Sequence, residues 1–133
     1  MTNKNVVLEF LAASQRADGD VLARLVSDSV TWEVVGTLKM CRVYQGREDV
    51  FQNLFNEIGT RSVPGTTSIE VSAVHEDAGE SVVIVELTEK FELVSGGHYA
   101  NSVVAIFGVS DGQIAWAREY MDLRPVADGL GLN

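Results

Sequence analysis

The chain has 133 residues, 46% of them hydrophobic, a size and composition typical of one globular domain. Nineteen acidic against ten basic residues give a formal net charge of -9, which repels phosphate backbones and anionic lipid headgroups. We therefore expect neither nucleic acid nor a membrane as a partner. No apolar run is long enough to span a bilayer, and residues 1–5 do not resemble a signal peptide, so we expect a cytoplasmic protein.

The first half of the chain carries three helical patterns. Apolar residues at helical spacing predict a first helix over residues 3–16, and Asp20 is placed to cap a short second one. The strongest helical pattern follows Gly46 and stops at Gly59. Between the second and third helices, apolar and polar residues alternate over 30–34, which predicts a brief strand, and residues 36–44 are predicted to be a loop.

The second half of the chain predicts four long strands separated by Gly-containing turns. The predicted strands cover residues 66–76, 81–94, 98–109 and 113–123. Strands of this length twist and curl, so an antiparallel meander with helices on its concave side forms a cone around a pocket. The predicted fold class is therefore α+β, a cone-shaped, strongly curved antiparallel sheet with three helices on its concave side. We expect one domain over residues 1–124 and a loosely ordered tail over 125–133.

One charged residue interrupts an apolar face of the last predicted strand. Because side chains alternate between faces, Glu119 shares its face with Ala115, Ala117, Met121 and Leu123. A carboxylate among apolar neighbours is costly to ionise, so its pKa should rise into the range useful for a general acid or base. The alternatives are a wet position at the rim of the pocket or a structural ion pair.

The strand predicted over residues 81–94 carries a mixed face. Glu86, Lys90 and Glu92 lie on one side of it together with Thr88, and could form a charged ladder that reaches into the pocket. The other possibility is a solvated face with ordinary ion pairs. With the ladder facing inward, the opposite face would expose an apolar stripe, which favours a homodimer through the outer face of the sheet. That stripe consists of Val83, Val85, Leu87, Phe91 and Leu93.

Metal and cofactor motifs are missing from the sequence. His75 and His98 lie on different predicted strands without a companion at metal-ligand spacing. No phosphate-binding loop or dinucleotide fingerprint occurs, and the lone Cys41 has no activating context. We therefore expect neither a metal nor a cofactor.

The order of elements and three short motifs resemble a known superfamily. REYMD at residues 118–122 ends the meander, TEKFE at 88–92 resembles a Thr-Glu-Arg-x-Asp segment, and IFGV at 106–109 precedes a DGQI turn at 111–114. Together they resemble the NTF2-like superfamily, and within it the SnoaL-like and limonene-1,2-epoxide-hydrolase-like branch. The resemblance implies the cystatin-like, NTF2-like roll over nearly the whole chain.

The resemblance also implies a catalytic trio. In those hydrolases one carboxylate deprotonates water, a second, protonated carboxyl donates to the epoxide oxygen, and an arginine bridges them. By position, Glu119 would be the base, Lys90 the bridge and Glu92 the acid. The family holds its water with a Tyr and an Asn on the first strand, and Trp32 and Val34 occupy those places here. The expected substrate-binding residues are Trp32, Val34, Phe55, Glu86, Thr88, Ala117 and Met121.

Three functions follow as hypotheses. The first is a cofactor-independent acid/base enzyme that opens an epoxide in a small apolar substrate with water. The second is a proton transfer or cyclisation of the kind that ketosteroid-isomerase-like relatives carry out. The third, from a different class, is a domain that binds a small apolar ligand, or assembles as a dimer, without catalysis.

Overall fold

Three helices cover one side of the sheet in the computed structural model, which describes all residues, 1–133. Helix α1 is Asn3–Gln15 and α2 is Gly19–Leu25. Helix α3 runs continuously through Arg47–Val50, a π-helical stretch Phe51–Phe55 and Asn56–Gly59. None of these helices combines the length and apolar character needed to cross a membrane.

The predicted helices are present, with one difference in capping. Helix α1 begins after Thr2, whose hydroxyl oxygen accepts a hydrogen bond from the Asn5 backbone N–H. The residue that caps α2 is Asp18 and not Asp20, because the Asp18 carboxylate accepts from the Val21 backbone N–H at 3.3 Å. Asp20 instead lies within the first turn, where its negative charge interacts favourably with the helix dipole.

The sheet has six strands in the spatial order β2-β1-β6-β5-β4-β3. Only β1 and β6 run parallel, and β3 to β6 form the predicted antiparallel meander. The strands are β1 Val26–Val34, β2 Val43–Gln45, β3 Ser68–Asp77, β4 Val82–Glu92, β5 His98–Ser110 and β6 Gln113–Met121. Strand β2 begins inside the segment predicted to be a loop, and it pairs with β1 through Thr31, Trp32 and Glu33.

A cluster of aromatic rings fills the space between the helices and the concave face of the sheet. Phe10 from α1, Trp32 from β1, Phe55 from α3 and Phe107 from β5 have ring centroids 5.1 to 6.1 Å apart. Tilted and edge-to-face pairs at these distances are favourable beyond the area that they bury. The cluster therefore holds α1 and α3 over the sheet and forms one wall of its interior.

The C-terminal segment packs against the rest of the chain. Residues Pro125–Gly129 form a π-helical turn, and Val126 and Leu130 are buried against Phe91 and Tyr99. The Arg61 guanidinium donates to the Leu130 carbonyl oxygen at 2.8 Å. The segment is Gly-rich, and its two apolar side chains cover a second small core.

Candidate active site

A cavity of about 420 Å³ lies between the helices and the concave face of the sheet. Sixteen of the 26 residues that line it are hydrophobic, so it suits a small apolar molecule. Trp32, Phe55 and Met121, three of the predicted substrate-binding residues, contribute to its wall. Two carboxylates, those of Glu89 and Glu119, also line it.

Glu119 reaches the cavity from β6. Its backbone is paired with Ala105 on one side and Val34 on the other, so it lies in the middle of the sheet. The Trp32 indole N–H donates to the Glu119 carboxylate at 2.7 Å. This short hydrogen bond fixes the orientation of one carboxylate oxygen and leaves the other free toward the cavity.

Glu89 reaches the same cavity from β4, where it lies opposite Asn101 of β5. Its inward-facing neighbours Leu87 and Phe91 are buried and apolar. No ion pair involves Glu89 or Glu119, and the nearest cation on the cavity wall, Arg16, is half exposed and pairs with Asp18. The two carboxylates therefore face an apolar space without a balancing positive charge.

Burial makes both carboxyl groups weaker acids. Loss of hydration, reinforced by the charge of Glu119, raises the pKa of Glu89 from its ordinary value of 4.5 to about 7. Burial also raises the pKa of Glu119, while the hydrogen bond from Trp32 stabilises its ionised form and opposes that rise. Because only Glu119 has a donor, the pair favours an ionised Glu119 beside a protonated Glu89.

The predicted catalytic partners Lys90 and Glu92 do not line the cavity. Both side chains are exposed and project from the outer face of β4, since the inner face carries Val85, Leu87 and Glu89. The structure therefore brings Glu119 together with Glu89 and not with Lys90 or Glu92. The predicted lysine bridge between two carboxylates is absent from the cavity.

Four of the predicted substrate-binding residues also lie outside the cavity wall. Glu86 is exposed on the outer face, where its carboxylate contacts the His75 ring at 2.8 Å. Thr88 is on the same outer face and is half buried. Val34 and Ala117 are buried in the core and do not line the cavity.

The apolar stripe expected on the outside of the sheet is on its inside. Val83, Val85, Leu87 and Phe91 are buried in the core, and Leu93 is half buried against the C-terminal cluster. The stripe is therefore covered by the protein itself. The reason it gave for a homodimer, an exposed apolar surface, does not hold.

Sequence reasoning missed Glu89 although the signal was available. The face that contains Val85, Leu87 and Phe91 carries Glu89 as its one charged residue, the same pattern that identified Glu119. The alignment of TEKFE with the hydrolase motif favoured the opposite face. Since neighbouring residues on a strand point to opposite faces, a shift of the alignment by one position assigns every side chain to the opposite face.

The titratable side chains on the cavity wall are Glu89, Glu119 and Arg16. No group of three or more His, Cys, Asp or Glu side chains is arranged to hold a metal ion. Glu119 and Glu89 are instead suited to exchange protons with a bound molecule, because burial raises the pKa of both groups and brings that of Glu89 to about 7.

A curved sheet covered by helices around an apolar pocket is the NTF2-like, cystatin-like fold. The family model of the SnoaL-like domain matches residues 7–117. The chain belongs to the SnoaL-like family. A comparison with curated proteins gave no significant match.

Solved structures agree with the fold. An NTF2-like protein from Burkholderia thailandensis superposes with a TM-score of 0.82 at 18% identity, covering 98% of each chain. A LEH-like epoxide hydrolase from M. tuberculosis gives 0.74 at 23% identity, covering 96% of this chain and 88% of that one. A candidate SnoaL-like polyketide cyclase from a Jannaschia species gives 0.76 at 20%, covering 98% and 92%. At these identities the likeness describes the fold alone.

Proposed function

We propose that the protein is a cofactor-independent acid/base enzyme that transfers a proton on a small, mostly apolar substrate. The observation that carries the proposal is the pair Glu119 and Glu89, which face one apolar cavity and form no ion pair, since Arg16 on the cavity wall pairs with Asp18. Two buried carboxyl groups with raised pKa values can hold one proton between them at neutral pH. Such a pair supplies a base and an acid at the same time.

The hydrogen bond from Trp32 to Glu119 supports an assignment of the two roles. Glu119 is the base, because the Trp32 indole N–H stabilises its ionised form. Glu89 is the acid, because it has no donor and its pKa of about 7 keeps it partly protonated at neutral pH. A carbon acid next to a carbonyl group would lose its proton to Glu119, while Glu89 donates to the carbonyl oxygen and stabilises the enol.

Epoxide opening by water is the second candidate. It uses the same pair, since Glu119 would take a proton from water and Glu89 would protonate the epoxide oxygen. The likeness to a LEH-like epoxide hydrolase favours it only through the fold. Against it, the indole N–H of Trp32 is already engaged by Glu119, and Val34 offers no polar group to hold a water molecule.

The proposal is tested with Glu119→Gln and Glu89→Gln, which keep the size of each side chain and remove its acid/base function. A panel of unsaturated ketones and small epoxides serves as substrates. We expect each variant to lose activity by roughly 10²–10⁴-fold, the usual contribution of a general acid or base. Glu92→Gln, an exposed change on the same strand, is the matched control and should retain full activity.

The same experiment separates the enzyme from a binding domain. Calorimetric titration of the panel compounds shows whether the cavity holds them, independently of turnover. Tight binding without turnover of any compound would favour a ligand-binding domain. Full activity in Glu119→Gln would contradict the role of Glu119 as the base. Loss of activity in Glu92→Gln would contradict the role of Glu89 as the acid and favour Glu92 in its place.

A further inference from the structure

Asn101 is the one buried polar residue of the core, with 4% of its surface exposed. It lies on β5 between the strands that carry the two glutamates. Its side-chain N–H groups donate to the Tyr99 hydroxyl oxygen and to the Asp122 carbonyl oxygen, both at 2.9 Å. These two hydrogen bonds use both amide protons, so the amide group cannot exchange its nitrogen and oxygen positions without losing them.

The amide oxygen of Asn101 has no partner, although it is buried. A buried acceptor without a donor costs free energy, and native proteins rarely retain one without a reason. The nitrogen of the amide is held on the side of Asp122, which directly follows β6. On its other side β5 is flanked by β4.

Glu89 is the residue that β4 presents there. It pairs directly with Asn101 in the antiparallel register of β4 and β5. Side chains of such a pair project from the same face, with Cβ atoms about 4.5–5.5 Å apart. The carboxyl group of Glu89 has no hydrogen-bond donor, and when protonated it carries an O–H that needs an acceptor.

We propose that Asn101 is a positioning residue whose side-chain oxygen accepts a hydrogen bond from the protonated carboxyl group of Glu89. The contact satisfies the orphaned acceptor and holds the proton of Glu89 until a substrate oxygen in the cavity replaces Asn101 as its acceptor. Its catalytic meaning rests on the proposed function, but the hydrogen bond itself does not.

The contact has a defined effect on protonation. Other titratable groups that face Glu89 are Glu119 from β6, Tyr99 from β5 and Arg16 at the end of α1, whereas α3 contributes none to the cavity wall. An acceptor for the O–H stabilises the neutral acid, so Asn101 raises the pKa of Glu89. Removing the acceptor should lower that pKa by about one pH unit.

Infrared difference spectroscopy tests the contact without any substrate. The carbonyl stretch of the protonated Glu89 is identified at pH 6 as the band that Glu89→Gln removes. In Asn101→Leu, which keeps the volume and removes the acceptor, we expect this band to move to higher frequency because the acid loses its partner. Tyr99→Phe is the control, since it removes one bond of the network and keeps the Asn101 oxygen, and its band should not move.

An unchanged band in Asn101→Leu would overturn the proposal, as would an equal shift in Tyr99→Phe, which would indicate general loosening. Should Asn101→Leu fail to fold, the frequency of the Glu89 band in the unmodified protein tests the contact. A frequency typical of a carboxylic acid without a hydrogen bond overturns the proposal, and a lower frequency supports it. The spectrum is independent of turnover. The spectroscopic test of the contact is therefore valid even where the proposed activity is not found.

Discussion

Glu89 and Glu119 obey one rule at the level of single residues. Each is the lone charged side chain on an otherwise apolar face of its strand, and each lines the cavity. The rule found Glu119 from the sequence, and it would have found Glu89 had it been applied to β4 in the same way. The TEKFE motif predicts Lys90 and Glu92 instead, and both lie on the outer face of β4, away from the cavity.

The Trp32 indole N–H stabilises the ionised form of Glu119. We expect Trp32→Phe, which removes the indole N–H and keeps an aromatic ring, to raise the pKa of Glu119 further because the ionised form loses its donor. The acidic limb of the pH–rate profile should then move to higher pH, with the alkaline limb, set by Glu89, nearly unchanged.

The measurement is the pH dependence of kcat/KM for a substrate found in the panel. Phe51→Leu, a change in an aromatic ring of α3 outside the cavity wall, serves as the control for altered packing. A profile of Trp32→Phe that coincides with that of the unmodified protein would show that the indole does not set the protonation of Glu119.

At the level of elements, the C-terminal turn matters more than its composition suggests. Val126 and Leu130 cover the stacked rings of Phe91 and Tyr99, whose centroids are 4.6 Å apart. Phe91 also lines the cavity, so this segment supports the cavity wall from behind. The tail is thus part of the site's framework.

We expect Leu130→Ala to lower the free energy of unfolding by about 2–3 kcal/mol, the low part of the range for a buried leucine, because the cluster is small. Chemical denaturation measures the change. Val94→Ala removes apolar atoms from a side chain that is 63% exposed and should alter the stability by less than about 0.5 kcal/mol. Equal effects of the two variants would mean that the C-terminal turn does not pack as described.

On the outer surface of the sheet, position 108 has no room for a side chain. A Cβ atom there would overlap the Trp116 indole, which covers this position from β6. The register of β5 and β6 shifts between Gly108 and Val109, so the glycine and the bulge lie together. The bulge lies one strand position away from the buried Phe107 and bends the sheet around the core.

At the level of the whole molecule, the buried carboxylates make stability depend on pH. The folded protein holds a proton on Glu89 up to about pH 7, whereas the unfolded chain releases it near 4.5. The contribution of Glu89 to the free energy of unfolding is therefore fully present below pH 4.5 and decreases as the pH rises to 7. The loss is about 3 kcal/mol at most, the value of a pKa shift of this size.

We expect Glu89→Gln to be more stable than the unmodified protein at pH 8 and to show a smaller decrease between pH 4.5 and 7. Urea denaturation at a series of pH values measures the difference. The pH dependence that Asp49 contributes has the opposite sign, because its hydrogen bonds with Arg42 lower its pKa. That contribution is lost only in strong acid, outside the range between pH 4.5 and 7. Identical pH profiles of the two proteins would contradict a buried Glu89.

The sequence by itself determined the class of fold and one half of the site. Helical spacing, turn signals and strand alternation depend on neighbours within a few residues, so they predicted the three helices, the meander and the inward direction of Glu119. Only the tertiary structure decided which face of β4 turns inward, because alternation sorts side chains into two faces and the packing of α1 and α3 selects between them. The packing of Leu130 was likewise decided in three dimensions, since residues far away in the chain bury it.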